Sequence, residues 1–277
     1  MTNECKNAVI IDAHVHIYAM FDVAKLLDSA CKNFIDATKQ RNILNFTGIL
    51  LLSETSNENW HNQQSKILNS DASGNMLTYG EWNLSLLQND TCTIRAIRST
   101  GELIYIIAGK QIATKEGLEI LALITTKTFK DGLPTQESLT QIQQSDDIAI
   151  MPWAVGKWLG KRGNIINKML QDHKRPLFFL GDNSGRPSFW INPDHFKLAK
   201  KMSIQVIPGS DPLPITDEES RVGQFGFIAR DILIESKPSE AIKNIFKNSI
   251  SDIETYGKLE STYRFFKNQI MLRLNKK

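Results

Sequence analysis

His14-Val15-His16 follows the apolar run Ala8-Val9-Ile10-Ile11-Asp12 and is the pair of side chains best suited to chemistry in this chain. Alternate residues of a strand face the same way, so a spacing of two sends both imidazoles into one cavity. Placed at the C-terminal mouth of a strand, two such rings can hold one divalent ion. The chain has only five histidines. Two of them at this spacing weigh against a plain surface turn, because polar turn residues do not dominate the segment.

Carboxylates stand near the ends of the other apolar runs. Glu54 follows Leu52-Ser53, and Glu119 sits in Gly117-Leu118-Glu119-Ile120. Asp182 lies in Gly181-Asp182-Asn183-Ser184-Gly185, and Asp211 in Gly209-Ser210-Asp211-Pro212. Imidazoles with carboxylates form a mixed nitrogen and oxygen donor set, which suits zinc, manganese or iron better than calcium. The expected cofactor is therefore a divalent transition metal, with His14, His16, Glu119, Asp182 and Asp211 as ligands. Asp211 is also the expected catalytic residue, taking and returning a proton beside an activated water. Each carboxylate has a plainer alternative: a turn or cap for Asp211 and Asp182, an exposed loop for Glu54. A buried Glu119 must find a partner, and a structural Arg or Lys would serve as well as a metal. His61, His173 and His195 lie in polar settings and read as solvent-facing, with His61 alone held in reserve as a functional candidate.

A second constellation reads as substrate-binding. Trp153-Ala154-Val155-Gly156-Lys157-Trp158-Leu159-Gly160-Lys161-Arg162-Gly163 follows an apolar run and opens a helix. Glycines allow close backbone approach, and cations beside helix N–H groups suit an anion. Lys157 is the expected contact there, Arg186 adds a planar fork for phosphate or carboxylate, and Glu54 completes the rim. The substrate expected is a small anionic molecule. A basic surface loop is the alternative. Walker A spacing is absent, and no Gly-x-Gly-x-x-Gly follows a strand, so a nucleotide cofactor is not indicated.

These residues need elements to hold them. Apolar runs at residues 9–11, 47–52, 118–124, 148–153, 177–180 and 204–207 read as strands. Amphipathic stretches at 21–40, 135–144, 164–172 and 193–202 read as helices. Alternation of this kind implies a parallel sheet covered by helices, as a barrel or a doubly wound sheet. The expected fold is α/β, a TIM-like (β/α) barrel of seven or eight strands, treated as one domain over 1–277. Residues 70–109 break the rhythm, and 91–98 with 102–108 read as a hairpin in a β-rich insertion. Residues 215–277 read as a helical extension, with helices at 239–248 and 253–274. Leu259, Tyr263, Phe266, Ile270 and Leu274 form the stripe of a helix docked on a core.

The remaining features bound the answer. The chain has 277 residues, a net charge of +3 and 41% hydrophobic residues, an ordinary globular composition. So mild a charge gives the expectation that neither nucleic acid nor membrane is a partner. Cys5, Cys31 and Cys92 lack paired or zinc-finger spacing, which favours a reducing compartment. No signal-peptide pattern or membrane-length apolar run is present, so a cytoplasmic location is expected.

Ile11-Asp12-Ala13-His14-Val15-His16, taken with Gly209-Ser210-Asp211-Pro212, resembles the metal-dependent hydrolases of the amidohydrolase superfamily. Leu180-Gly181-Asp182-Asn183-Ser184-Gly185 is similar to a motif of that superfamily in which a ligand His stands where this chain has Asp182. The related PHP-type phosphoesterases also open with His-x-His, and Glu54 and Gly117-Leu118-Glu119-Ile120 match two of their acidic positions. The chain departs from them at Glu54-Thr55, where they carry Asp-His, and at Leu213, where they carry His. The resemblance implies a barrel, a metal, and hydrolysis of an amide, lactone or phosphoester. The missing histidines motivate the rival reading, a barrel without catalysis that binds a ligand or partner.

Overall fold

Residues 8–15 are buried without a break, as a run of β-branched and small apolar residues must be when a strand is covered on both faces. This strand anchors a computed structural model that describes residues 7–70, 76–230, 234, 236–250 and 253–274. In chain order the first elements are β1 (Asn7–Val15), α1 (Val23–Lys39), β2 (Asn45–Leu52), α2 (Trp60–Ser70), β3 (Leu77–Tyr79) and β4 (Trp82–Leu87). There follow β5 (Asp90–Arg98), β6 (Leu103–Ile107), β7 (Gly109–Ala113), β8 (Glu119–Leu123), α3 (Thr135–Gln144), β9 (Ile148–Pro152) and α4 (Gly160–Gln171). The last are β10 (Phe179–Asn183), α5 (Asp194–Lys201), β11 (Val206–Gly209), β12 (Gly226–Arg230), α6 (Pro238–Asn244), β13 (Glu254–Tyr256) and α7 (Thr262–Leu274).

The strands form two sheets, of order β13-β12-β1-β2-β6-β5-β4-β3 and β11-β10-β9-β8-β7. The expected barrel is not formed. Both sheets are mixed: β12 runs antiparallel to β1, and β8 runs antiparallel to β7 and β9. Among the described residues no ladder joins the two sheets into a closed ring. At one seam the link between them is a single bridge, Glu54 with Lys110. At the other, the Ser210 amide donates to the Asp12 carboxylate at 2.7 Å instead of to a strand carbonyl. That side-chain bond and one backbone bond, from the Asp211 amide to the His14 carbonyl, stand there in place of a ladder. The close approach needs glycine, since a Cβ on Gly209 would collide with the backbone of His14.

Three apolar layers hold this arrangement. Val9, Ile11, Ile49, Leu51, Leu121 and Ile150 pack between the sheets. Ile10, Leu26, Leu27 and Phe34 form a layer with α1 on the outer face of the larger sheet. Ile120, Leu139, Ile166 and Ala199 do the same with α3, α4 and α5 on the smaller one. Alternate residues of β1 thus feed different layers, which fixes its register. Asp22 caps α1 by accepting from the amides of Ala24 and Lys25.

The hairpin expected at 91–108 is present as β5 and β6, and β6 pairs parallel with β2 inside the larger sheet. Residues 71–75 of the 70–109 segment lie outside the described residues, as does Cys5. Cys31 and Cys92 are free. The segment after residue 215 supplies strands as well as helices, in β12 and β13. The apolar stripe of α7 does not dock as expected. Tyr263 is 80% exposed, and Phe266, Ile270 and Leu274 also face out. The opposite face is held down, by buried Phe265 and by the Arg264 to Glu218 ion pair. No helix among the described residues is long and apolar enough to cross a membrane.

Candidate metal centre

The pairing of β1 with β2 shifts register between Asp12 and Val15. Before the shift, Val9, Ile11 and Ala13 face the space between the sheets; after it, Val15 and Ile17 face the α1 side. The irregularity therefore turns His14 and His16 inward at the strand's end, the re-aiming role of a bulge. Asp211, in the loop after β11, meets them there. It adopts a left-handed backbone conformation, φ 49°, uncommon outside glycine but tolerated by Asp, while its amide donates to the His14 carbonyl at 2.8 Å.

The three side chains converge. His14 Nε2 lies 3.2 Å from His16 Nε2. Asp211 Oδ1 lies 3.4 Å from the first nitrogen and 3.8 Å from the second. A tetrahedral ion with bonds of about 2.0–2.1 Å separates its ligand atoms by roughly 3.3 Å. The observed spacings suit that geometry, and the group can hold a metal ion. Among the described residues it is the one cluster of its kind.

Neighbouring groups fix the orientation of His16 and Asp211. Glu58, in the loop before α2, lies with Oε2 3.1 Å from His16 Nδ1. With the proton on Nδ1, the Nε2 lone pair is left facing the cluster, the arrangement that carboxylates impose on metal-binding imidazoles. Asn183 Nδ2 donates to Asp211 Oδ2 at 2.8 Å and to the Trp153 carbonyl at 2.8 Å, which leaves Asp211 Oδ1 for the histidines. Tyr18 stacks on His16, with ring centroids 5.3 Å apart. Behind the cluster, Asp12 accepts from the amides of Ser210, Gly223 and His14 and ties three segments together.

Burial holds the His14 pKa below its ordinary value, although Asp211 pulls the other way. Burial works against a charge on His16 too, but the hydrogen bond and charge of Glu58 outweigh it and raise that pKa. The Glu58 carboxyl is held low by the same pairing, against its own burial. Burial, reinforced by Asp211, Glu58 and Glu119, keeps the Tyr18 phenol protonated. Burial also pushes Asp12 up to about 6, its three amide partners acting in the opposite sense.

The other residues singled out in the sequence lie elsewhere. Asp182 is not brought to the cluster. Its carboxylate pairs with Arg186 through two bonds of 2.7 Å. Strand parity explains this: Asp182 shares the outer face of β10 with Leu180, and Asn183 shares the inner face with Phe179. Arg186 is buried and spent, donating also to the carbonyls of Trp190 and Ile191. Glu119 stands at the mouth, because β8 is antiparallel and begins where its neighbours end. There it pairs with Lys157. Glu54 is buried at the seam, accepting from the His61 amide and from Lys110. His61 is buried, not solvent-facing. Sequence reasoning missed Glu58 and Asn183. The alternation along β10 could have found Asn183; no spacing marks Glu58.

No family model and no curated protein matches this chain. Solved structures do. PsfC from Pseudomonas syringae PB-5123 matches with a TM-score of 0.53 and 12% identity, over 98% of this chain and 100% of that one. PfuEndoQ from Pyrococcus furiosus, a lesion-specific endonuclease, matches at 0.50 and 11%, over 90% of this chain. The chain shares their fold. It spans 57% of the length of PfuEndoQ. An endonuclease Q complex with a 27-mer duplex carrying an abasic lesion is similar at a TM-score of 0.44, 14% identity and 87% coverage of this chain. The expectation that nucleic acid is not a partner does not stand. The fold is also that of a lesion-specific endonuclease, so a mild net charge is no ground for that exclusion.

Proposed function

We propose that this protein is a metal-dependent hydrolase acting on a phosphoester. The observation that carries the reading is the convergence of His14, His16 and Asp211. Three protein donors leave coordination positions open, the pattern of catalytic rather than structural sites. A divalent ion held there supplies Lewis-acid activation of water and of the oxygen on which charge develops.

The chain's own groups have definite parts in this reading. Glu58 holds His16 in the tautomer that offers Nε2. Asn183 holds Asp211 through Oδ2, so Oδ1 would face the ion, and the Asp211 carboxylate is the group beside the water that takes its proton and returns it to the leaving group. Asp211 is the part of the cluster open to solvent, its side chain 23% exposed. Lys157, at the mouth, exchanges Glu119 for an anionic oxygen of the substrate. A phosphoester fits that cation and the fold shared with an endonuclease.

The test is hydrolysis by protein reconstituted with zinc, manganese or iron. The probes are p-nitrophenyl phosphate, bis-p-nitrophenyl phosphate, p-nitrophenyl acetate and a duplex with an abasic site. Turnover of a phosphoester probe that is lost in the His14→Ala/His16→Ala variant supports the reading. Turnover of the acetate alone contradicts the choice of bond. No turnover by metal-loaded protein favours a ligand-binding protein.

A further inference from the structure

We propose that the cavity between α2, the start of β5 and the segment after β8 is a second binding site, for a neutral small molecule rich in hydroxyl groups. Its volume is about 320 Å³, at the lower end of the range of small-molecule sites. Asn59, Asn62 and Asn69 line one side, and Thr91, Thr126 and Thr128 the other. None of these six side chains is hydrogen-bonded to a described residue. All six side chains are exposed, so water satisfies them in the free protein and a ligand can take its place.

The helix wall adds two more. His61 and Ser65, one turn apart on α2, also line the cavity. His61 Nε2 and Ser65 Oγ are buried and lack partners. His61 is 4% exposed, and its ring is already hydrogen-bonded to the Cys92 backbone. Burial keeps the imidazole neutral, so Nε2 is an acceptor in want of a donor.

Charge narrows the ligand. Among the described residues the only charged ones in the lining are Glu54 and Lys110, and they neutralise each other at 2.6 Å. Among the described residues no unpaired charge is left in the lining to hold an ionic group. Neutral amides and hydroxyls that both donate and accept match a ligand whose own groups do the same. A monosaccharide or a cyclic polyol has that chemistry. The Glu54–Lys110 wall also borders a cleft lined by Glu58 and Gln111, so the cavity adjoins the metal centre without sharing its donors.

The experiment titrates the full-length protein with D-ribose, D-glucose, myo-inositol and uridine, followed by calorimetry and saturation-transfer NMR. Ribose, glucose or inositol should bind saturably. That binding should weaken about tenfold or more in Asn62→Ala/Thr128→Ala, whose exposed positions leave the fold intact. It should persist in His14→Ala/His16→Ala. The proposal is overturned if none of the three polyols binds, if uridine alone binds, or if Asn62→Ala/Thr128→Ala leaves binding unchanged. It is equally overturned if the histidine variant abolishes binding, which would place the ligand at the metal centre.

Discussion

Glu58 Oε2 and His16 Nδ1 are 3.1 Å apart and joined across 42 residues of sequence. The contact selects the imidazole tautomer, and through it the nitrogen that faces Asp211. Glu58→Gln keeps the shape and removes the charge. Loss of such an outer partner typically weakens metal binding about 10- to 100-fold. Competition with a chromophoric chelator measures this, and unchanged affinity would show that Glu58 does not position His16.

The same pair sets a pH signature in metal-free protein. The folded His16 pKa is raised, so its contribution to stability is complete below the unfolded value of about 6.5 and is lost as pH rises through the folded pKa. Glu58→Gln should therefore lower Tm most near pH 5.5 and least near pH 8.5. His14 and His61 act in the opposite sense. Their pKa values are lowered by burial, so their protonation in the unfolded chain costs stability as pH falls below about 6.5. Thermal melts in chelator across this range separate the two senses.

Asn183→Ala should act on both metal affinity and stability. Asp211 loses the partner on Oδ2, and the Trp153 carbonyl loses its donor. Metal affinity should fall about tenfold, and stability by about 1–3 kcal/mol in urea titrations. A loss of stability with affinity intact would restrict Asn183 to holding the loop after β9.

Arg186→Met tests whether Asp182 is structural. Breaking this buried, doubly bonded pair leaves one carboxylate unpaired and should cost about 3–5 kcal/mol, read from urea denaturation. Asp182→Asn and Glu119→Gln should each retain the full metal content. Loss of metal in either would return that carboxylate to the ligand set.

Much of this was legible in the sequence because apolar runs and period-two spacing are strong signals. The strands at β1, β2, β8, β9, β10 and β11 and the imidazole pair follow from them. Strand direction does not. Glu119-Ile120-Leu121-Ala122-Leu123 is apolar enough to be buried in either sense, so β8 reads the same parallel or antiparallel, and the closed barrel was the wrong inference. Asp182 drew attention by its charge, whereas strand parity gives the inner face to Asn183. Tyr263, Phe266, Ile270 and Leu274 keep helical spacing, yet ion pairs on the opposite face decide which side of α7 docks. Glu58 is invisible to periodicity because it comes from a loop and acts through a fold-level contact.

The most direct measurement is the metal content of untagged protein prepared under metal-replete conditions, determined by plasma mass spectrometry beside a folded His14→Ala/His16→Ala variant. The account predicts about one zinc, manganese or iron per chain in the wild type and a loss of that metal in the variant. Metal-free wild-type protein, or equal metal in both, would contradict it.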